Sequence, residues 1–226
     1  EKIGVITESI STRDAYFGSS AFVDLIHRIQ LETSGADISF AAPLSFDATI
    51  AKGDILMSDM FNLMKYENML YVMNLSGREI KDFLEYSYYI WTNQMSSPDD
   101  HMLWLKSSNR VGDENRSTFY NESFNFDSAA GIIYTVDLTK PRGEKINIIS
   151  MADGTPFALD HTYKVAINSY RGNGGGGHLT AGAQIDKDEL KNRIISATDK
   201  DLRFYMLEYI RAKGTIDPKP LNNWKF

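Results

Sequence analysis

Residues Asn68 to Trp91, NMLYVMNLSGREIKDFLEYSYYIW, constrain the fold more than any other stretch of this chain. Asn68 to Leu75 alternates as a strand does. It runs without a linker into Ser76-Gly77-Arg78-Glu79, a serine followed three residues later by a glutamate. At that spacing the serine hydroxyl accepts from the glutamate N–H and the carboxylate accepts from the serine N–H, which starts a helix. Ile80, Phe83, Leu84, Ser87, Tyr88 and Trp91 then recur at i, i+3 and i+4, a stripe that faces a core.

Further elements follow from the same periodicities. Gly4 to Ile10 reads as a strand. Ser19 or Ser20 caps a helix carrying Ala21, Phe22, Leu25, Ile26 and Ile29, stopped by Ser34-Gly35. Ala36 to Leu44 is an apolar strand, and Ser58 caps a short helix running to Met64. Gly131 to Thr139, Lys145 to Met151 and His161 to Tyr170 are strands, with turns at Gly143 and Asp153 to Pro156. Asp201 to Lys213 is a last amphipathic helix, and DPKPLNNWKF is a tail. Helices mixed with antiparallel-looking strands, without regular βαβ alternation, predict an α+β fold with a mixed sheet and packed helices. No internal repeat interrupts it, and 226 residues with 42% apolar content can fill one large domain, 1–226. Residues 95–122 are weakly periodic and polar, as expected of a lid or an excursion.

Composition excludes several chemistries. The chain has no cysteine, hence no disulfide, thiolate metal site or cysteine nucleophile. A net charge of −6 with interspersed signs makes duplex nucleic acid a poor partner. No apolar run approaches the roughly 20 residues of a membrane span. A start at Glu1 rather than methionine leads us to expect that a signal peptide, a lipoprotein anchor or a neighbouring domain preceded it.

NSYRGNGGGGH, Asn168 to His178, is the most unusual local feature. Gly172, Gly174 and Gly177 satisfy G-x-G-x-x-G, but no helix of the dinucleotide-binding kind follows. His178-Leu179 replaces the Lys-Ser/Thr of a P-loop. A loop this bare either lets a flat ligand lie close to the backbone beside Tyr170 or is a flexible hairpin end. Asp99-Asp100-His101 matches the Asp-x-His of a dimetal phosphatase, but the remaining ligand motifs are missing. Serine-nucleophile motifs are absent. These residues favour a binding domain over a self-sufficient enzyme. An independent metal site at Asp99 and His101 is the enzymatic alternative.

From about Phe17 to Tyr209 the chain resembles the C-terminal, substrate-binding domain of the 5′-nucleotidase and 2′,3′-cyclic-nucleotide 2′-phosphodiesterase family. The resemblance rests on four blocks in order: GADISFAAPLSFDATIAKGDI, MKYENMLYVMNLSGREIKDFLEYS, FNFDSAAGIIYTVDLTKPRGEKI and LDHTYKVAINSYRGNGGGG. It implies a fold like that domain and a nucleotide or nucleoside ligand whose base lies between two aromatic rings. By position these are Tyr66 and Tyr170, with Asn68 on the base edge and Gly174, Gly175 and Gly176 admitting the base. Two departures accompany it. The family's Asn-x-Gly-Gly-x-Arg loop is AAPLSFD here, with Asp47 near the arginine position. Its Gly-Gly-Asp-Gly aspartate is Gly176. Arg171 is then a candidate substitute cation, or a surface residue. The family's catalytic dimetal domain, with its divalent metal pair, is not in these residues. The resemblance therefore implies no catalytic residue, metal ligand or cofactor in this chain. It implies a metallophosphatase partner, on the same precursor or a separate chain, in the periplasm or outside the cell, with lipid anchoring possible through a removed N-terminus. A stand-alone nucleoside-binding or scavenging protein is the non-catalytic alternative.

Overall fold

A computed structural model describes residues 1–106 and 118–226. The elements, in chain order, are β1 (Lys2–Ile6), α1 (Ala21–Ser34), β2 (Ile38–Ala41), β3 (Gly53–Leu56), β4 (Met69–Ser76), α2 (Gly77–Trp91), β5 (Ser128–Ala130), β6 (Ile132–Val136), β7 (Ile146–Met151), β8 (Thr162–Asn168), β9 (Ile194–Asp201), α3 (Leu202–Lys213), β10 (Thr215–Ile216) and β11 (Trp224–Lys225). This is an α+β fold. Its central sheet has the order β9-β4-β8-β2-β5. β8 runs antiparallel to β4, from Thr162 opposite Ser76 to Asn168 opposite Leu70, and parallel to β2.

The sheet is covered on both faces at its centre, which is why β2 and Val165 to Asn168 of β8 are buried at every position, whereas β4 keeps its alternation. Successive side chains leave a strand on opposite faces. Val165 and Ile167 join Met73 and Leu75 in a core under α2, where Phe83 stacks on Phe40 at 3.9 Å between ring centroids. Ala166 and Leu70 face the other core, under α1 and α3, with Phe22, Ile26, Ile29, Met206 and Ile210. Each large apolar side chain so buried contributes roughly 1.5–3 kcal/mol.

The corner between β4 and α2 forms as its sequence dictates. Ser76 Oγ accepts from Glu79 N at 3.2 Å and Glu79 Oε2 accepts from Ser76 N at 2.7 Å. Ser76→Ala removes one half of this box and should cost about 1 kcal/mol of folding free energy, read from the urea midpoint. An unchanged midpoint would mean that α2 is held by its core contacts alone.

Several boundaries differ from the sequence pattern. The first strand is Lys2–Ile6, and Ile10–Ser11 pairs separately with Thr49–Ile50. Ser58 is not a cap: Asp59 Oδ2 takes the Leu56 N–H at 2.7 Å and starts the turn that leads into Met60–Leu63. β9, not expected from the sequence, is an edge strand with five of its eight residues exposed, so it lacks a hydrophobic run. The tail is not loose. Its Trp224 is buried, and β11 pairs in parallel with β6. Within the expected 95–122 excursion, residues 107–117 lie outside the described residues. On either side of them Leu105–Lys106 pairs with Thr118–Phe119, and Phe119 packs edge-on to Tyr16.

Candidate functional site

β4 and β8 are antiparallel neighbours, so the segments flanking the start of one and the end of the other meet at the same end of the sheet. Before β4, Asn68 N donates to Tyr66 O at 3.1 Å, and this tight turn leaves Tyr66 41% exposed. The pattern carries the other strand to Tyr170, but β8 ends at Asn168. Asn168 Oδ1 accepts from Arg171 N at 2.8 Å and caps a single helical turn, Ser169–Gly172. Tyr170 rides the outside of that turn, 46% exposed. Ser169 Oγ stitches the two segments, accepting from Met69 N at 3.1 Å and donating to Asn68 Oδ1 at 3.4 Å.

The result is a cleft of about 350 Å³ lined by Leu44, Tyr66, Asn68, Phe124, Asn168 and Tyr170, within the size range of small-molecule sites. Tyr66 meets Phe124 edge-on, with centroids 6.3 Å apart. Of the residues singled out in the sequence, Tyr66, Asn68 and Tyr170 line this cleft. Leu44, Phe124 and Asn168 were not singled out. Leu44 sits in the AAPL block. Asn168 could have been found as the asparagine that ends an apolar strand ahead of a turn. Phe124 belongs to a stretch without periodicity and gave no signal.

Gly174, Gly175, Gly176 and Arg171 do not line the cleft; they lie behind it. The glycine loop is bare for the sake of its own neighbours. A Cβ on Gly175 would lie 2.6 Å from the Tyr170 ring, and one on Gly176 would collide with Arg171 Nη1. Gly174 and Gly176 also have φ of 93° and 73°, where a side chain is strained. The loop thus closes up behind the tyrosine ring.

Arg171 is not a surface residue, being 1% exposed, and its guanidinium is bonded within the protein. Its Nη2 donates to Asp127 Oδ1 at 2.6 Å and to Phe124 O at 3.0 Å. Its Nη1 donates to Gly175 O at 2.7 Å and Asn125 Oδ1 at 3.2 Å, and its Nε to Asp127 Oδ2 at 3.3 Å. The guanidinium is a crossbar from the turn bearing Tyr170 to the segment bearing Phe124. A buried charge persists only when paired and hydrogen-bonded in this way.

His178 lies beside this pair, with Nε2 2.8 Å from Asn125 O and 3.7 Å from Asp127 Oδ1. Burial first, then the Arg171 charge, lowers its pKa from 6.5 to about 3. His27, between Ser39 and Ser128 under α1, is lowered by burial to about 4. Both are neutral in the folded state. Below pH 6.5 the unfolded chain takes up protons that the folded chain refuses, so stability held above pH 6.5 is lost as the pH falls toward 4 and then 3. From pH 7 to 5.5 the loss should be about 1 kcal/mol for each histidine. Urea unfolding at the two pH values checks this, and His178→Gln should halve the difference. Equal stability at both pH values would contradict it.

Asp47, at the expected arginine position, is exposed and accepts from Arg13 Nε at 2.9 Å and Nη2 at 2.8 Å. Asp100 closes a local turn on Ser96 N and Ser97 N, and His101 Nδ1 accepts from Leu103 N at 3.1 Å. No group of three His, Asp or Glu among the described residues is placed to hold a metal ion. A dimetal centre therefore does not fit these residues. No helix among them is long and apolar enough to cross a membrane.

Comparison with known proteins bears on this geometry. The family described as 5′-nucleotidase, C-terminal domain, matches residues 2–183. The trifunctional nucleotide phosphoesterase protein YfkN of Bacillus subtilis is 30% identical over 193 residues, which are 80% of this chain and 12% of that protein. A 2′,3′-cyclic-nucleotide 2′-phosphodiesterase/3′-nucleotidase of Salmonella typhimurium is 29% identical, covering 81% of this chain and 27% of that protein. The chain thus spans about an eighth to about a quarter of these relatives. Among solved structures, a putative 5′-nucleotidase from Staphylococcus aureus superposes with a TM-score of 0.77 at 20% identity. It covers 99% of this chain and 40% of its own.

Proposed function

The chain belongs to the 5′-nucleotidase C-terminal domain family, and on that premise we propose that residues 1–226 form one nucleotide-recognition unit of a phosphoesterase. A single observation carries the reading: two exposed tyrosines, Tyr66 and Tyr170, wall one cleft at the meeting of neighbouring strands, with amide side chains beside them. A base between the rings gains stacking, which tolerates different bases. Tyrosine hydroxyls leave the mouth of the cleft wet. The ribose and its phosphate, in a 5′-nucleotide or a 2′,3′-cyclic nucleotide, then project outward. Holding the base fixes where the phosphorus lies, and that positioning is this chain's contribution to hydrolysis. Phosphorus chemistry, and the divalent metal pair of a metallophosphatase, belong to another segment of the same precursor or to a separate chain. An exported protein, periplasmic or extracellular, accords with such a scavenging activity.

Calorimetric titration tests the reading, using adenosine and guanosine with their 5′-monophosphates and 2′,3′-cyclic monophosphates. Saturable binding at one site per chain is expected for both nucleosides and nucleotides. Binding of neither would contradict it. Binding of phosphates alone would move recognition away from the base.

A further inference from the structure

We infer that the cleft selects 6-oxopurines, the guanine and hypoxanthine bases, over adenine. The inference rests on the reading of the cleft as a base site and adds its specificity. It follows from where the two asparagine amides spend their oxygens.

Asn168 Oδ1 is committed to Arg171 N at 2.8 Å, as the cap of the turn that carries Tyr170. An amide has one oxygen and one NH₂, so the Asn168 NH₂ is turned away from that cap. Ser169 Oγ accepts from Met69 N at 3.1 Å, which leaves its own hydrogen to donate to Asn68 Oδ1 at 3.4 Å. The Asn68 oxygen is thereby held toward Ser169, and its NH₂ faces the other way. Both residues line the cleft, and both are otherwise nearly buried, at 8% and 7% exposure. Neither NH₂ group has a partner among the described residues, and neither is among the sealed polar atoms that lack one. The two residues are linked through Ser169, which bonds Asn68 and follows Asn168 in sequence. The cleft therefore offers a ligand two donors, one from each of two amide side chains whose oxygens are tied to the same turn, Ser169–Gly172.

A base edge that answers two donors carries two neighbouring acceptors. Guanine and hypoxanthine have O6 beside N7. Adenine has an amino group beside N7, so one asparagine NH₂ would face another NH₂. A donor buried against a donor leaves both unmade. Cytosine also pairs two acceptors, O2 and N3, but its single ring covers less of Tyr66, Tyr170 and Phe124. Purines are therefore favoured.

Titration of the 226-residue chain with inosine, guanosine, adenosine and cytidine tests this. Inosine and guanosine should bind at least about tenfold more tightly than adenosine and cytidine. Replacing the N7 acceptor, in 7-deazaguanosine, should remove most of that advantage without touching the protein. Asn68→Asp, which keeps the shape and exchanges a donor for an acceptor, should shift the preference toward adenosine. Adenosine or cytidine binding as tightly as inosine would overturn the inference. Loss of that binding in Tyr170→Ala would then still uphold the base site. Equal affinity for guanosine and its 7-deaza analogue would also overturn it. If no nucleoside binds, the base site and its specificity fall together.

Discussion

Arg171→Met should lower the folding free energy by about 3–5 kcal/mol, the usual consequence of removing one partner from a buried ion pair. For a chain of this size that is a fall in Tm of roughly 6–20 °C. The cause is what remains behind. Asp127 is 1% exposed and loses the donors at 2.6 and 3.3 Å that hold its carboxylate. The backbone oxygens of Phe124 and Gly175 lose theirs as well. His178, 3.7 Å away and neutral, offers no replacement charge at pH 7. Removing both charges together, in Arg171→Met with Asp127→Leu, should recover much of the loss, because no unpaired ion is then buried. Urea unfolding of the single and double variants reads the effect. A stable Arg171→Met protein with abolished nucleotide binding would instead place the guanidinium on the ligand.

Tyr170→Ala should weaken nucleoside binding by about 1–3 kcal/mol, roughly 5- to 150-fold, while the unfolding midpoint stays near that of the parent chain. The asymmetry follows from exposure. Tyr170 is 46% exposed, and its support comes from the glycine loop behind it rather than from the core. Gly175→Ala should mimic part of this loss without removing the ring, because the added methyl group would sit 2.6 Å from it. Titration of both variants, paired with their unfolding curves, separates a lost ring from a lost fold. Undiminished affinity in Tyr170→Ala would end its role as a wall of the base site.

Much of this architecture was legible in the sequence because it depends on local rules. The Ser76–Glu79 box and the stripe from Ile80 to Trp91 are set by spacing along one helix, and the structure has both. Ser20, one of the two serines offered as a cap, caps α1 by the same logic, and Asp201, expected as the first residue of the last helix, is its cap. Elements defined by distant partners were not legible. β11 exists because Trp224 finds a place beside Tyr134, and nothing within ten residues of it carries that information. β9 is an edge strand with many exposed positions, so its composition resembles a loop.

The same division holds at the cleft. Tyr66, Asn68 and Tyr170 stood out through family motifs. Arg171 and the glycines stood out as well, but their direction could not be read. A helical turn of four residues after β8 decides that Tyr170 faces out and Arg171 faces in. Phe124 comes to the cleft from a stretch without periodicity, its backbone held by Arg171 from a position 47 residues away.

The most direct test of the base site is to locate a bound nucleoside on the protein by NMR, following the tyrosine ring resonances during a guanosine titration. A base between Tyr66 and Tyr170 should shift both sets of ring signals upfield together, with one binding curve, while Tyr16, buried against Phe119, stays still. Saturable binding that leaves Tyr66 and Tyr170 unmoved, or that moves Tyr16 instead, would contradict the site proposed for this chain.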